Sequence, residues 1–462
     1  MTATLDHRIA TSVRPSARPN GPETQRSGAR PNGPTGSRIA APVRPAHPQS
    51  APGQTKAPAK FGGTRAGIHV ATPQLHLSTK PAAVVLRAAR LHGPVFRDAA
   101  SAASGLSIST VNRQVSALLK AGLLRERADL APAGAIGRPR LPFELNTAEY
   151  LTVGIHIGLK VTSITTHDLF HRVVGAIQIP TPAADTPEQT LTSIGLSAKR
   201  FLSRWQNKRV LWAGVALAGR VDNGGRVSHS RLNWQSAPVG EVLASVIGLP
   251  ISVASHVEAM AAAELLLNPQ AELLVDPGQE GGSFVYFYAR ETVGIAFTVG
   301  GSVYTPTAGP PEIGHFPAGR TELLDPHRTG RLEPTVSDTG VVDAAVAAGL
   351  TIETVDDVHQ LAAAGNDVAR AILTERAEVL GRAVGLISDI FNPDHVVLGG
   401  QAFTDAPSTL PVVARAVRET SVSERRDVRV SRSGATVQQQ AAGAVSLDAI
   451  YSDPIEALAR TV

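Results

Sequence analysis

The repeated alternation of strand and helix patterns over residues 148–452 is the feature that most limits how this chain can fold. Apolar runs of strand length over residues 151–166 precede an amphipathic helix over 189–205. A second set of strands over 284–304 precedes long helices between 340–391. Two successive sets of strands and helices predict an α/β domain with two lobes and a cleft between them, where a small ligand would bind.

A short basic segment, residues 80–147, precedes this domain. Residues 82–103 predict two helices, and a turn at residues 105–107 places Ser107 where it can cap a third helix. That helix carries apolar residues at spacings of three and four from Val111 onward. The basic run at residues 137–140 lies between short apolar stretches, as in a β-wing. The whole segment therefore predicts a winged helix-turn-helix.

Residues 1–79 are rich in Pro, Gly, Ser, Ala and Arg, lack a helical or strand period, and are predicted to be a disordered tail. The tail is either a mobile arm that adds non-specific DNA affinity or an inert solubilising extension. The formal charge is +9 over residues 1–80, +5 over 81–147 and −9 over 148–462. This division is expected when the N-terminal part of a chain contacts phosphate and the remainder does not.

The composition excludes several classes of site. The chain has no cysteine, which excludes disulfides, thiolate zinc sites and thiol nucleophiles. No apolar run reaches the roughly 18 residues of a membrane span, and the basic start lacks the apolar core of a secretory signal. We therefore expect a soluble, cytoplasmic protein with no membrane partner.

Short motifs follow one another in a characteristic order over residues 80–450. They are Gly105-Leu106-Ser107, Gly137-Arg138-Pro139-Arg140, Gly214 to Gly219, Leu232-Asn233-Trp234, Glu312-Ile313-Gly314-His315, Asn392-Pro393 and Val396 to Gly400. In this order and spacing they resemble the ROK family of repressors, uncharacterised open reading frames and sugar kinases, whose kinase fold resembles actin and hexokinase. The resemblance implies an actin/hexokinase-like two-lobed domain behind the winged helix-turn-helix.

The chain departs from the family's kinases where they hold ATP and transfer phosphate. The resemblance places the first phosphate loop at residues 156–161, where His156 replaces an aspartate and Leu159 occupies a position that needs a small residue. The second loop, residues 290–294, contains a glutamate that would repel a triphosphate, and Ser255-His256 replaces the Asn-Asp pair that supplies the general base. These changes predict no catalytic residue, no cofactor and no kinase activity.

The family's structural zinc site also lacks its ligands. The resemblance places its three cysteines at Leu324, Pro326 and Arg331, and only His315 matches a ligand. Because these three residues cannot replace thiolates, we expect no metal, and Pro326 with an ion pair of Arg331 is expected to shape the loop instead.

The start of the third helix and the wing are predicted to contact DNA. Asn and Arg side chains can bind adenine and guanine edges, whereas wing arginines bind the minor groove or phosphates. The predicted DNA contacts are Ser107, Ser109, Thr110, Asn112, Arg113, Arg138 and Arg140. A three-helix module that contacts another protein is the alternative.

Four residues are predicted to bind the ligand. Glu312, His315 and Glu333 match family residues that the resemblance implies bind sugar hydroxyls, and His256 would lie beside them in the cleft. The alternative is that they are remnants in a cleft that no longer binds anything.

Together these features predict a cytoplasmic transcriptional regulator, a repressor, that binds double-stranded DNA and responds to a sugar or sugar-derived effector. We expect a homodimer or homotetramer, because a single recognition helix buries too little surface for useful specificity. A sugar kinase with an appended DNA-binding module, a ligand-independent transcription factor and a scaffold that does not bind DNA remain the alternatives.

Overall fold

An extended segment, residues 69–79, opens the described part of the chain and lies against the α/β domain; we call it the N-terminal strap. Its strand β1 (Val70–Ala71) pairs in parallel with residues 251–252. This computed structural model describes residues 69–131, 140–267, 282–423 and 427–460. The strap falls within the segment that the sequence analysis assigned to the disordered tail. Pairing at a sheet edge orders it, and that pairing depends on the partner strand, which composition does not reveal.

Three helices and a two-stranded hairpin follow the strap. They are α1 (Pro81–His92), α2 (Arg97–Ser104), α3 (Ile108–Lys120), β2 (Leu124–Glu126) and β3 (Phe143–Leu145). Gly93 follows the last residue of α1, and Gly105 adopts the left-handed conformation (φ 68°) that the turn before α3 requires. Val111, Val115 and Leu118 are buried, as their helical spacing predicts. These elements follow the order predicted for a winged helix-turn-helix, and we call residues 80–147 the winged domain after that prediction. Residues 132–139, within the predicted wing, lie outside the described residues.

The first lobe contains a six-stranded sheet in the order β1-β11-β7-β4-β5-β6 and a small sheet in the order β10-β9-β8. Its elements are β4 (Tyr150–Ile157), β5 (Val161–His167), β6 (Val173–Pro180), α4 (Pro187–Leu202), β7 (Arg209–Leu217), β8 (Arg220–Val221), β9 (Val227–His229), β10 (Trp234–Ala237), α5 (Val239–Ile247) and β11 (Ile251–Ser255). Strands β4, β5 and β6 form an antiparallel meander, and β7 and β11 extend it in parallel.

The second lobe repeats this plan with a sheet in the order β14-β13-β12-β15-β16. Helix α6 (His256–Ala262) leads into it and continues as a π-helical turn, Ala263–Leu267. The remaining elements are β12 (Ser283–Ala289), β13 (Val293–Val299), β14 (Ser302–Val303), α7 (Leu332–Val336), α8 (Asp338–Ala347), α9 (Val355–Ala363), α10 (Asp367–Phe391), β15 (His395–Gly399), α11 (Gln401–Thr404), α12 (Leu410–Thr420) and β16 (Asp427–Val430). The two-lobed α/β architecture that the sequence predicts is therefore the one observed.

Helix α13 (Val437–Ser452) returns to the first lobe and packs on β4 and β7, and α14 (Pro454–Ala459) follows it. The contact is close because Gly154 and Gly214 face the helix, and a Cβ on Gly214 would lie 2.1 Å from the Ser446 amide nitrogen. One continuous cluster of buried apolar residues joins this layer to α6 and to the helices of the winged domain. None of the helices in the described ranges has the length and apolar character of a membrane span.

Candidate DNA-binding surface and interlobe cleft

The start of α3 is fixed by its cap. The Ser107 hydroxyl accepts a hydrogen bond from the Thr110 amide (3.3 Å) and donates to the Thr110 hydroxyl (2.9 Å). The Ser109 hydroxyl lies 3.0 Å from the Ser107 hydroxyl. In the preceding turn, the Ser101 hydroxyl donates to the Leu106 carbonyl (2.6 Å). These bonds hold the first turn of α3 and its exposed side chains in a defined orientation.

Asn112 and Arg113 project from the exposed face of this first part of α3. Over the described ranges, the Arg113 guanidinium makes no ion pair and no hydrogen bond. Val111 and Val115 on the opposite face are fully buried. Helix α3 is thus anchored by its buried face, and its exposed face presents two side chains that can bind base edges.

The three described arginines beside the predicted wing, Arg125, Arg127 and Arg140, differ in exposure. At the base, Arg125 and Arg127 both pair with Glu144, at 2.6 Å and 3.0 Å. Arg140 is 78% exposed and makes one ion pair, with Asp98 at 3.2 Å. Arg138 lies outside the described residues. Glu144 thus holds Arg125 and Arg127, while Arg140 stays mostly exposed beside Asp98 of α2. These ion pairs were not predicted from the sequence.

A cavity of about 850 Å³ lies between the lobes. Its floor carries His156 from the end of β4, His256 from the start of α6 and Tyr288 from β12. The His156 and His256 rings stack with centroids 6.1 Å apart, and the His256 and Tyr288 centroids are 5.2 Å apart. The Tyr288 hydroxyl accepts a hydrogen bond from Gln438 of α13 (3.1 Å). Residues from both lobes and from α13 thus build one polar floor.

His156 and His256, which stack on the cleft floor, are neutral at physiological pH. Burial, followed by the effect of His256 and then of Arg290, lowers the pKa of His156 to about 3. Burial and, to a smaller extent, His229 lower the pKa of His256 to about 4. The Nε2 atom of His156 is buried and has no hydrogen-bond partner among the described residues. A ligand hydroxyl in the cleft would supply that missing partner.

The two loops that the family resemblance aligns with kinase phosphate loops make contacts within the protein. Gly158 and Leu159 form the tight β4–β5 turn, where the Gly158 amide donates to the Val161 carbonyl (3.1 Å), and Leu159 lines the cleft. The Glu291 carboxylate pairs with Arg231 (2.5 Å) and accepts hydrogen bonds from the Thr339 amide (3.1 Å) and hydroxyl (2.9 Å). A protein carboxylate therefore occupies the N-terminus of α8, which favours anions.

The four predicted ligand residues do not share one cavity. His256 lines the 850 Å³ cleft, whereas Glu333 lines a neighbouring pocket of about 310 Å³. The Glu333 carboxylate accepts a hydrogen bond from the Val293 amide (3.1 Å), and burial raises its pKa. Glu312 and His315 are exposed and line neither cavity. The ligand-binding role of all four residues stays a prediction. The cleft residues His156, Tyr288 and Gln438 are not among the ligand contacts predicted from the sequence.

Asp325 organises the loop that the family resemblance aligns with a zinc site. Its carboxylate accepts hydrogen bonds from the amides of Thr329 (2.8 Å) and Gly330 (2.7 Å). Arg331 lies 3.4 Å from Nδ1 of His315 rather than in an ion pair. Within the described residues, no group of three or more His, Asp or Glu side chains is arranged to hold a metal ion. An Asp-centred turn thus takes over the role that the sequence analysis assigned to Pro326 and Arg331.

Comparison with known proteins places this architecture in a family context. The model of the ROK family matches residues 152–449. A Mycobacterium tuberculosis protein named as a transcriptional regulator is 47% identical over 420 residues, which is 88% of this chain and 94% of that protein. The DNA-binding transcriptional repressor Mlc of Escherichia coli is 24% identical over 382 residues, covering 78% of this chain and 91% of Mlc. An Escherichia coli N-acetylglucosamine repressor is 23% identical over 350 residues, 71% of this chain and 82% of that protein.

Solved structures share the fold. A ROK family transcriptional regulator homologous to Mlc superposes with a TM-score of 0.66 and 21% identity, covering 82% of this chain and 99% of that chain. A ROK family glucokinase from Streptomyces griseus, solved with glucose and AMPPNP, gives a TM-score of 0.53 at 21% identity, covering 64% of this chain and 99% of its own. The regulator superposes over a larger part of this chain than the glucokinase does.

Proposed function

This chain belongs to the ROK family, and we propose that it is a DNA-binding transcriptional repressor whose cleft binds a sugar-derived ligand without phosphorylating it. The observation that carries the proposal is the exposed start of α3, where Asn112 and Arg113 project from a capped helix that precedes the predicted wing in the chain. The Mycobacterium tuberculosis relative named as a transcriptional regulator matches 88% of this chain at 47% identity, which supports the same assignment.

The contacts in the cleft favour binding over phosphoryl transfer. Glu291 occupies the N-terminus of α8, and Leu159 lies in the turn where a kinase backbone would approach phosphate oxygens. His256 takes the place of the general base, and its lowered pKa of about 4 would make it a weak one. A triphosphate would have to displace Glu291 from Arg231 to bind here. The chain is therefore proposed to lack kinase activity.

The charges around the cleft favour an uncharged ligand. Its lining includes three basic side chains, of which Arg231 pairs with Glu291 and Arg290 pairs with Asp338 (3.3 Å). It also includes five carboxylates, namely Glu291, Asp338, Glu353, Asp356 and Asp405. Neutral His156 and the side-chain amide of Gln438 can form hydrogen bonds with hydroxyls without requiring a charge. We infer a neutral polyhydroxylated ligand that contacts His256 in this cleft. The predicted contacts of Glu312, His315 and Glu333 would require a ligand that reaches beyond the cleft lining.

DNA selection tests the central part of this proposal. The full chain is used to enrich duplexes from a random pool, and its Kd for an enriched duplex is compared with that for a shuffled duplex of the same composition. We expect the enriched duplex to bind at least about 1,000-fold more tightly and both affinities to fall steeply with salt. Equal affinity for the two duplexes would contradict a sequence-specific regulator.

The ligand part has its own experiment. N-acetyl-D-glucosamine and its 6-phosphate are titrated against the complex with enriched duplex, and release of ADP from ATP is measured with the same sugars. We expect the uncharged sugar to change DNA affinity more than its 6-phosphate does. We expect neither sugar to cause ADP release. ADP release that depends on the sugar would instead identify a kinase, and a response to the phosphorylated sugar alone would contradict the inferred neutral ligand.

A further inference from the structure

Arg90 is a charged side chain buried at the boundary between α1 of the winged domain and the α/β domain; it is 8% exposed. One terminal nitrogen donates to the Leu266 carbonyl (3.4 Å) and the other donates to the Phe170 carbonyl (3.5 Å). The guanidinium also lies 5.7 Å from the centroid of the Tyr451 ring. These two carbonyls and the Tyr451 ring hold the guanidinium of α1 against the α/β domain.

One of the two carbonyls that Arg90 contacts is held rigidly. It belongs to the β5–β6 turn, where the Asp168 carboxylate accepts hydrogen bonds from the amides of Phe170 (2.8 Å) and Arg172 (2.9 Å). The Tyr451 hydroxyl donates to the neighbouring Leu169 carbonyl (2.7 Å) and ties the turn to α13. The Phe170 carbonyl is thus a fixed reference point for α1.

The other carbonyl belongs to the helix that starts in the cleft. His256 is the first residue of α6, and α6 continues directly into the π-helical turn Ala263–Leu267, which contains Leu266. The path from His256 to Leu266 is roughly 15 Å at the usual helical rise. Residues 257–262 are all buried, so close packing favours movement of this helix as a unit rather than bending.

We propose that α6 and its π-helical turn carry a change at His256 to Arg90, so that a ligand in the cleft alters the position of α1 relative to the α/β domain. Helix α1 packs against α3, so the DNA-contacting face moves with it. The inference rests on the proposed function for the link between cleft and DNA. It also requires that the ligand bind the two positions of α6 with different affinities.

A double-mutant cycle in the full chain tests the relay without knowledge of the natural ligand. His256→Trp adds bulk to the cleft floor and is combined with Arg90→Gln. Arg87→Gln is the matched control, because Arg87 lies on the same helix but donates to the Ser78 carbonyl of the strap (3.2 Å). We expect His256→Trp to change the Kd for an enriched duplex by about 5-fold or more with Arg90 present, and by less than about 2-fold in the Arg90→Gln background.

Amide hydrogen exchange of residues 81–92 in the same proteins gives a second readout that needs no DNA. His256→Trp should alter exchange of α1 in the wild-type and Arg87→Gln backgrounds but not with Arg90→Gln. Arg90→Lys, which keeps the charge but loses the two-pronged geometry, should weaken the coupling without loss of folding, as checked by thermal unfolding. Equal effects of His256→Trp in every background, or no effect in any, would overturn the relay. Failure of the wild type to bind any duplex would instead count against the proposed function, because the exchange readout would still report the relay.

Discussion

At the scale of single residues, the cleft floor depends on histidines that stay uncharged. His156 stacks on His256, and its buried Nε2 has no partner among the described residues. Protonation of either ring would place a positive charge in a buried site, next to the other imidazole ring. The floor formed by His156, His256 and Tyr288 is therefore polar but uncharged.

The His156 environment predicts a dependence of stability on pH. Burial holds the pKa of folded His156 at about 3, below the ordinary histidine value of about 6.5, so the unfolded chain binds more protons between these values. The free energy of unfolding should fall as pH decreases through this window. His156→Gln removes this pH dependence. The free energy of unfolding of the variant minus that of the wild type should therefore be about 2 kcal/mol larger at about pH 5 than at about pH 7.5.

Urea unfolding of both proteins at the two pH values measures this difference. The same substitution at the exposed His92 of α1 provides the control, because its side chain is solvated in the folded protein. That variant should follow the pH dependence of the wild type. A His156→Gln protein that loses stability in acid as steeply as wild type would show that the ring is not buried in its neutral form.

At the scale of secondary structure elements, the sequence predicts the winged helices and the two sets of strands well. These elements have one buried face, so the period of apolar residues marks them, as it does for Val111 and Val115 in α3. Helix α13 is absent from the sequence prediction because most of its residues are buried and no apolar stripe distinguishes one face. Strand β1 has two residues, too few for any period.

The cap of α3 gives a prediction for one element. Ser107→Ala removes the acceptor for the Thr110 amide and should lower the free energy of unfolding by about 1 kcal/mol. Ser116→Ala, an exposed position later in the same helix, should leave stability unchanged or slightly raised. Chemical denaturation compares the two variants. Equal stability changes would show that the cap does not hold the start of α3.

The N-terminal strap gives a second prediction for a single element. The buried Asp448 carboxylate of α13 accepts hydrogen bonds from the amides of Gln74 (2.8 Å) and Leu75 (2.9 Å). Asp448→Ala leaves both amides without an acceptor and should destabilise the strap by about 2 kcal/mol or more. Hydrogen exchange over residues 69–79 should then become faster. Lys80→Ala, which breaks an exposed ion pair with Asp453, is the control and should change little. Unchanged exchange in Asp448→Ala would mean that other contacts hold the strap.

At the scale of the whole molecule, the winged domain and the α/β domain share one apolar core. Leu86 and Val111 of the winged domain belong to the same buried cluster as Tyr451 of α13. The strap adds hydrogen bonds to the second lobe, where the Leu77 amide donates to the Gly301 carbonyl (2.7 Å). The α/β domain was predictable from its strand and helix patterns and from the order of its motifs. These contacts between domains were not, because each joins residues far apart in the chain and follows no local period.

The affinity of the full chain for an enriched duplex, measured for Arg113→Ala beside Arg418→Ala, tests most directly whether the exposed face of α3 recognises DNA. Both arginines are exposed, and Arg418 lies on α12 of the second lobe. The account predicts that Arg113→Ala weakens binding to the enriched duplex by about 10-fold or more and weakens binding to a shuffled duplex less, whereas Arg418→Ala changes neither. If Arg113→Ala binds the enriched duplex as tightly as the wild type does, α3 does not read the sequence in the way proposed.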